Sequence, residues 1–124
     1  MPESAVKDES EITVIIPSPK ARLELVVDKK YGKIEFELSP DKQNQNIGRG
    51  NGNDVQILCD MSVSRKHAIL SYANGIWTIS DDGGANNTYL NNKKLERGDY
   101  QALKDGDIIG LGSRAKLTFR DTIS

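Results

Sequence analysis

Two short stretches of this chain combine glycine, hydroxyl and cationic residues in a way that suits phosphate chemistry. Residues 47–54 contain three glycines in five positions around one cation, Arg49. Residues 60–67 place two hydroxyls beside two cations, namely Ser62, Ser64, Arg65 and Lys66. A guanidinium pairs with two phosphate oxygens at once, and hydroxyls and backbone N–H groups satisfy the others. Together these residue types predict binding of a phosphate monoester, although either stretch alone is more typical of an exposed turn.

Other motifs in the sequence lack the context that their chemistry requires. Residues 110–115 fit the dinucleotide pattern G-x-G-x-x-A, but an alternating strand follows them instead of the helix that would hold a pyrophosphate. Residues 105–116 begin like a calcium loop, but Ile109 and Lys116 stand where oxygen ligands are needed. There is no Walker loop and no G-x-S-x-G. We therefore expect no enzyme, no metal and no cofactor.

The chain has one histidine, His67, and one cysteine, Cys59. His67 could activate Ser64 or Cys59, but no orienting acid has a defined place in the pattern. A structural histidine with satisfied hydrogen bonds is the better interpretation, since an apolar strand surrounds it. Cys59 follows Ile57 and Leu58, and we expect it to be an inert, small core residue.

The elements that must position these stretches are strands. Apolar and polar residues alternate with period two over residues 22–27, 33–38, 67–72 and 115–120, and shorter β-rich runs cover 76–79, 88–90 and 108–109. Glycine and asparagine turn signals separate the runs, and no window of a dozen residues has the pattern of an amphipathic helix. Many short strands with glycine-rich turns predict an all-β sandwich or barrel.

Charge divides the chain unevenly. The formal net charge is -1, and charged residues make up 28%. Residues 1–19 carry four acids and one base and end in Pro-Ser-Pro, so we expect a flexible acidic tail there and one domain over residues 20–124. A near-zero net charge argues against binding to nucleic acid or a membrane, and the absence of a signal sequence and of paired cysteines favours the cytoplasm.

Four motifs in register resemble those of the forkhead-associated (FHA) domain, a reader of phosphothreonine peptides. They are a Gly-Arg after an early strand, a Ser-x-x-His, an asparagine-rich loop, and a late Asp-Gly-Asp followed by Leu-Gly. In this chain the motifs occupy residues 48–49, 64–67, 84–91 and 105–112. The resemblance extends over about residues 21–120, and its order and spacing agree throughout.

The resemblance implies a sandwich of two twisted, mostly antiparallel sheets with about eleven strands and little or no helix. It implies that Arg49 and Ser64 contact the phosphate and that Arg65 adds charge or a backbone N–H. Asn86 would pair with the ligand's main chain. The implied partner is a protein that carries phosphothreonine and has been marked by a Ser/Thr kinase. A buried γ-methyl contributes about 0.8 kcal/mol, which would favour threonine over serine.

The resemblance also implies that two residues shape the loops. At three other positions this chain departs from the family pattern. Gly48 would permit the turn that directs Arg49, and His67 would tie the binding loop by a hydrogen bond. Ala85 replaces a hydroxyl that commonly helps to hold the phosphate, a loss of about 0.5–1.5 kcal/mol. Asn87 and Asn92 stand where glycine is usual, and asparagine tolerates positive φ better than most residues.

Two questions about function stay open at this point. Because of these departures, the alternative function stays open, namely an FHA-fold scaffold that makes phosphorylation-independent protein contacts. In the tail, Thr13 follows acidic residues and could become a phosphothreonine that docks into the chain's own loops. The alternatives for this segment are a disordered linker or an extra edge strand over residues 12–16.

Overall fold

A computed structural model describes residues 21–28, 32–83 and 86–121 of the chain. Within these ranges there is no helix, and so none that is long and apolar enough to cross a membrane. The strands are β1 (Ala21–Asp28), β2 (Gly32–Glu37), β3 (Asn44–Gly48), β4 (Val55–Gln56), β5 (Ala68–Ala73), β6 (Ile76–Asp81), β7 (Thr88–Leu90), β8 (Lys93–Lys94), β9 (Gln101–Ala102), β10 (Ile108–Leu111) and β11 (Ala115–Asp121).

These strands form two sheets. One has six strands in the order β2-β1-β11-β10-β7-β8, and the other has five in the order β4-β3-β5-β6-β9. The β3–β4 pair is parallel, while the other pairs with a described register are antiparallel. The predicted all-β sandwich with about eleven strands is confirmed. The predicted tail over residues 1–19, with Thr13 in it, lies outside the described residues.

The core lies between the two sheets and is built from the alternating residues that the sequence singled out. In the six-stranded sheet Leu23 pairs with Phe119 and Leu25 with Leu117. All four are buried. Trp77 of the five-stranded sheet meets Phe119 edge-on, with ring centroids 6.5 Å apart. Because alternate residues of a strand point to opposite faces, the period-two pattern determines which face of each sheet joins this core.

Strand β2 shows that the alternation of apolar and polar residues does not determine how deeply an apolar residue is buried. Ile34 and Phe36 lie opposite Leu25 and Leu23 of β1, on the face that leads into the core. Phe36 is only partly buried, and Ile34 is 45% exposed. The reason is that, among the described strands, β2 ends the six-stranded sheet and pairs with β1 alone, so less of the opposite sheet covers it.

Asparagines occupy the tight turns. Asn91 and Asn92 both have positive φ, 50° and 69°, in the two-residue turn between β7 and β8. This is the backbone that a short hairpin requires, and asparagine adopts it at low cost. Asn92 thus adopts the positive φ for which glycine is the usual residue at this position. Asn87 is not among the non-glycine residues with positive φ, so its replacement of glycine needs no such tolerance.

Four chain segments converge at one end of the sandwich. The backbone N–H of Arg49, just after β3, donates to the Ser64 carbonyl. The N–H of Gly112, in the β10–β11 hairpin, donates to the Asn87 carbonyl in the segment before β7. The first bond links the loops after β3 and before β5, and the second links the segment before β7 to the β10–β11 hairpin. A hydrogen bond between the His67 ring and the Asn87 carbonyl connects the two pairs. The two stretches with the chemistry of phosphate binding therefore lie side by side on one rim.

Candidate functional site

Gly48 brings the two predicted loops into contact. A Cβ atom built on it would lie 2.2 Å from the carbonyl oxygen of Arg65 and 2.9 Å from that of Ser64. Both are backbone atoms, so a side chain could fit only if one loop moved. Gly48 is not among the glycines with positive φ, and its contribution is this close approach of two backbones rather than an unusual turn.

Arg49 is held against the second loop by its backbone and by its side chain. Its N–H donates to the Ser64 carbonyl at 2.9 Å, and its Nε donates to the Val63 carbonyl at 3.1 Å. The Arg49 carbonyl accepts a hydrogen bond from the Gln56 side-chain amide. The side chain is half-buried, and no described residue pairs with its two terminal nitrogens. Those nitrogens remain available for an anion.

His67 determines where Ser64 sits. Its Nδ1 accepts a hydrogen bond from the Ser64 backbone N–H at 2.9 Å, and its ring is fully buried. Because Nδ1 is an acceptor, the proton of the neutral ring is on Nε2, which donates to the Asn87 carbonyl at 2.9 Å. The imidazole thereby connects the loop before β5 with the segment before β7. Both ring nitrogens are used, and the Ser64 hydroxyl has no described partner.

Arg65 presents its backbone inward and its side chain outward. Its carbonyl accepts hydrogen bonds from the Gly50 N–H at 3.1 Å and from the Asn53 side-chain amide at 2.6 Å. The same amide also donates to the Gly50 carbonyl. The exposed Arg65 guanidinium has no partner among the described residues. Asn53 is a loop-fixing residue that sequence reasoning missed; its only signal was an amide at the end of a glycine-rich turn.

Asp60 is a second residue whose role sequence reasoning missed. Its Oδ1 accepts from the N–H and the hydroxyl of Ser62, and its Oδ2 accepts from the N–H groups of Arg114 and Ala115. The carboxylate thus fastens the 60–64 loop to the β10–β11 hairpin. Burial by itself raises the pKa of Asp60, but the bonds from Ser62 and from the two backbone N–H groups outweigh burial and lower that pKa below its ordinary value.

Asn86 closes the rim from the third loop. It is exposed, and its side-chain amide donates to the Ser62 carbonyl. Ser62 is also close to Gly112, where a Cβ atom would lie 2.5 Å from the Ser62 hydroxyl. The amide oxygen of Asn86 has no described partner and can accept a hydrogen bond. Ala85, the predicted departure beside it, lies outside the described residues.

The sequence predicts that Cys59 is a core residue. This prediction is wrong, because Cys59 is exposed. Its neighbours Leu58 and Met61 are 69% and 78% exposed, whereas Ile57 is fully buried. The chain leaves the sandwich after β4, and of residues 58–61 only Asp60 turns inward, to reach the β10–β11 hairpin. The apolar character of Ile57 and Leu58 therefore gave no information about the residue that follows.

The rim brings together the four predicted ligand-contacting residues. Backbone N–H groups of Arg49 and Gly50 donate to the carbonyls of Ser64 and Arg65. Asn86 is joined to the same loop through the Ser62 carbonyl. Within the described ranges no group of three His, Cys, Asp or Glu side chains is placed to hold a metal ion. The free groups of the rim are cations, a hydroxyl and an amide. Such a set suits an anion attached to a peptide.

Comparison with known proteins identifies the family. The model of the FHA domain family matches residues 46–112, which is more than half of the chain and includes Arg49, Ser64, Arg65 and Asn86. The chain belongs to the FHA domain family. Members of the family are binding modules, and the FHA domain of this chain is accordingly a phosphopeptide-binding, protein-interaction module.

Solved structures and a curated relative agree with this assignment. An FHA domain from a study of phosphothreonine-dependent interactions has a TM-score of 0.68 and 27% identity, covering 82% of this chain and 95% of that one. The FHA domain of an Arabidopsis thaliana protein has a TM-score of 0.70 and 30% identity, covering 82% and 85%. The E3 ubiquitin-protein ligase RNF8 of Bos taurus is 37% identical over 82 residues. That match spans 63% of this chain and 17% of RNF8, so it concerns only a small part of the ligase.

Proposed function

We propose that this FHA domain binds proteins that carry phosphothreonine, after a Ser/Thr kinase has marked them. The observation that supports the proposal most strongly is the set of uncommitted donors on the rim. The terminal nitrogens of Arg49, the hydroxyl of Ser64 and the guanidinium of Arg65 have no described partner, yet the backbone beneath them is fixed. A phosphate monoester carries about -1.5 to -2 charges and three acceptor oxygens, which these donors match.

The fixed backbone supports tight binding. The Val63 carbonyl restrains Arg49, and His67 holds the Ser64 backbone, so the phosphate donors are already positioned before the ligand arrives. Preorganised donors lose little conformational entropy on binding. In this proposal Arg49 and Ser64 contact the phosphate directly, Arg65 contributes a further positive charge, and Gly48 and His67 act only by shaping the loops.

Asn86 would hold the ligand's main chain. Its amide N–H₂ group is occupied by the Ser62 carbonyl, while its oxygen faces no described donor. That oxygen can accept a hydrogen bond from a backbone N–H next to the phosphothreonine. Such a contact orients an extended peptide without reading its side chains. Burial of the threonine γ-methyl, about 0.8 kcal/mol, would add the preference over phosphoserine.

The test is a titration of one peptide in three forms, with phosphothreonine, phosphoserine or threonine at the same position. We expect the wild-type domain to bind the phosphothreonine form best and the unphosphorylated form not measurably. Arg49→Ala should weaken binding of the phosphothreonine form by about 2–4 kcal/mol, because it removes a charged, positioned donor pair. Arg22→Ala is the matched control, since Arg22 lies in β1 and pairs with Glu24 rather than with the rim.

Phosphatase treatment of a partner protein tests the alternative, in which binding does not depend on phosphorylation. If a partner protein treated with phosphatase binds as well as the untreated one, the phosphate is not the recognised group. Full affinity in Arg49→Ala would remove Arg49 from its proposed role, while a folded control variant with equal loss would indicate a general charge effect.

We further propose that the tail, which lies outside the described residues, docks into its own domain. Phosphorylated Thr13 would dock into the rim of its own domain and compete with external ligands, because tethering raises its effective concentration to the millimolar range. Kinase treatment of the whole chain should then weaken binding of an external phosphothreonine peptide, and Thr13→Ala should prevent the change. An unchanged affinity after confirmed phosphorylation of Thr13 would disprove the docking.

A further inference from the structure

A second groove lies next to the rim, on the solvent face of the six-stranded sheet. Its floor is Gly110 of β10, and its walls are Tyr89 of β7 and Lys116 of β11. The other residues that line it are Asn92, Ile108, Gly112, Ser113, Arg114 and Ala115. Gly110 has no side chain, and the Tyr89 Cβ lies 3.4 Å from where a Cβ of Gly110 would be. The missing side chain is what leaves a depression between the tyrosine and the lysine.

The charges around this groove are uncompensated. None of the described residues that line it is acidic. Arg114 and Lys116 are exposed and have no ion-pair partner in the described part of the chain. Lys94 lies opposite Tyr89 in the register and adds a third cation nearby. A site with this excess of positive charge attracts acidic groups.

The other half of the same sheet face is different. There Glu24 forms ion pairs with Arg22, Lys33 and Arg120, and Glu35 pairs with Arg22 and Lys33. The cations of that half are thus neutralised within the domain. The contrast shows that the positive charge around Gly110 is a local property and does not follow from the composition of the sheet.

The groove is continuous with the rim. Ser113, which lines the groove, donates from its N–H to the Ser62 hydroxyl at 2.9 Å, and its own hydroxyl lies 3.0 Å from the same atom. Asp60 binds the backbone N–H of Arg114. The hairpin that lines the groove is thus hydrogen-bonded to the loop that carries Ser64. A peptide held at the rim can therefore continue into the groove within a few residues.

We propose that the groove binds an acidic segment of the same partner protein whose phosphothreonine occupies the rim. This inference rests on the proposed function and extends it, since it names a second feature of the partner. Aspartate or glutamate side chains pair with Arg114 and Lys116, while the Tyr89 ring packs against the apolar part of the segment. Two linked contacts strengthen each other because the second forms within an already bound chain.

The first experiment tests the groove without the phosphate. A short polyglutamate peptide is titrated into the isotope-labelled chain at low salt, and amide chemical shifts are followed by NMR. We expect shifts centred on Gly110, Ser113 and Lys116, which disappear in the double variant Arg114→Gln, Lys116→Gln. The double variant Lys93→Gln, Lys104→Gln loses the same charge outside the groove and should keep the shifts. Shifts spread over all exposed cations, or unchanged in the groove variant, would overturn the proposal.

The second experiment measures the linkage. Phosphothreonine peptides carry a glutamate block on the N-terminal or the C-terminal side, and matched peptides carry glutamine instead. One of the two glutamate peptides should bind about tenfold more tightly at low salt than its glutamine counterpart, and the groove variant should lose that gain while binding the glutamine peptide normally. No gain on either side would contradict the proposal. If no phosphothreonine peptide binds, the proposed function fails, while the NMR result still decides on the groove.

Nucleic acid is the competing polyanion. A single-stranded oligonucleotide is titrated in the same buffer, and the same resonances are followed. If it binds at Gly110 and Lys116 more tightly than polyglutamate does, the assignment to an acidic protein segment is wrong. Weaker or absent binding of the oligonucleotide supports it.

Discussion

The Nδ1 atom of His67 lies 2.9 Å from the backbone nitrogen of Ser64, and its Nε2 lies 2.9 Å from the Asn87 carbonyl oxygen. One buried ring therefore bonds to two loops that come from different parts of the sequence. The Ser64 carbonyl, in turn, accepts the N–H of Arg49. The position of the proposed phosphate donors depends on this chain of contacts, so changes in it should affect stability and binding together.

His67→Ala should lower both. The substitution leaves the Ser64 N–H without its partner, leaves the Asn87 carbonyl with only the Gly112 N–H as a donor, and opens a cavity in the core. An unsatisfied donor costs about 1–3 kcal/mol and the cavity adds to this cost, so we expect a loss of about 2–4 kcal/mol in the free energy of unfolding. Urea denaturation measures that loss, and a peptide titration measures the fall in affinity. Lys66→Ala, an exposed neighbour, is the control and should leave the unfolding midpoint where it is.

Gly48→Ala should disturb the site by steric conflict alone. The new Cβ would lie 2.2 Å from the Arg65 carbonyl oxygen, so the backbones of the two loops must separate. Overpacking of this kind costs about 1–3 kcal/mol, and affinity for phosphopeptide should fall with it. Gly52→Ala is a matched control in the same loop, because nothing lies within 4 Å of its Cβ position. Equal stability of the two variants in urea denaturation would show that the close approach does not matter.

Much of the fold could be predicted from period-two alternation, but strands without that pattern could not. β1, β5 and β11 follow the alternation directly. β3 consists largely of amide side chains, and its Gln45 is buried because Ser39 satisfies both ends of its amide through the backbone N–H and carbonyl. That pairing depends on how the chain turns between β2 and β3, which the alternation of residue types does not indicate. β8 and β9 have two residues each, too few for any pattern.

The residues of the site also fall into two groups, those that the sequence predicted and those that it did not. Arg49 and Ser64 stood out because their residue types suit phosphate and because their spacing matches a known family. Asp60 and Asn53 did not, because their importance comes from which backbone N–H and carbonyl groups they meet after folding. The partners of Asp60 at residues 114 and 115 are more than fifty positions away, beyond the reach of any local pattern.

Ser64→Ala should weaken binding without affecting the fold. The hydroxyl has no described partner, while the backbone bonds to His67 and Arg49 do not depend on it. We expect a loss of about 0.5–1.5 kcal/mol in the free energy of phosphopeptide binding, milder than for Arg49→Ala. The free energy of unfolding should stay within about 0.5 kcal/mol of the wild type. Calorimetric titration with thermal unfolding of the same samples separates the two, and a large drop in stability would mean that the hydroxyl has a structural role.

The Asp60 carboxylate should make the stability of the loop depend on pH. Its pKa is lowered in the folded domain, because the hydrogen bonds that it accepts outweigh the effect of burial. A carboxyl with a lowered folded pKa stabilises fully above its unfolded pKa, near about 4, and loses that contribution as pH falls through the folded value. Stability should therefore be constant in this respect from neutral pH to about pH 5 and decline below about pH 4.

Asp60→Asn isolates this contribution. An amide can accept on one side only, so its N–H₂ group must face either the Ser62 donors or the Arg114 and Ala115 donors, and we expect a loss of about 1–3 kcal/mol at neutral pH. The difference between wild type and variant should shrink as pH falls below about 4, since the wild-type carboxyl then becomes protonated and also loses an acceptor. Urea denaturation at a series of pH values measures both curves. Asp54, whose pKa the hydrogen bond from Lys42 lowers, titrates in both proteins and cancels in the difference. A gap that stays constant down to pH values near 2 would show that the charge of Asp60 does not stabilise the loop.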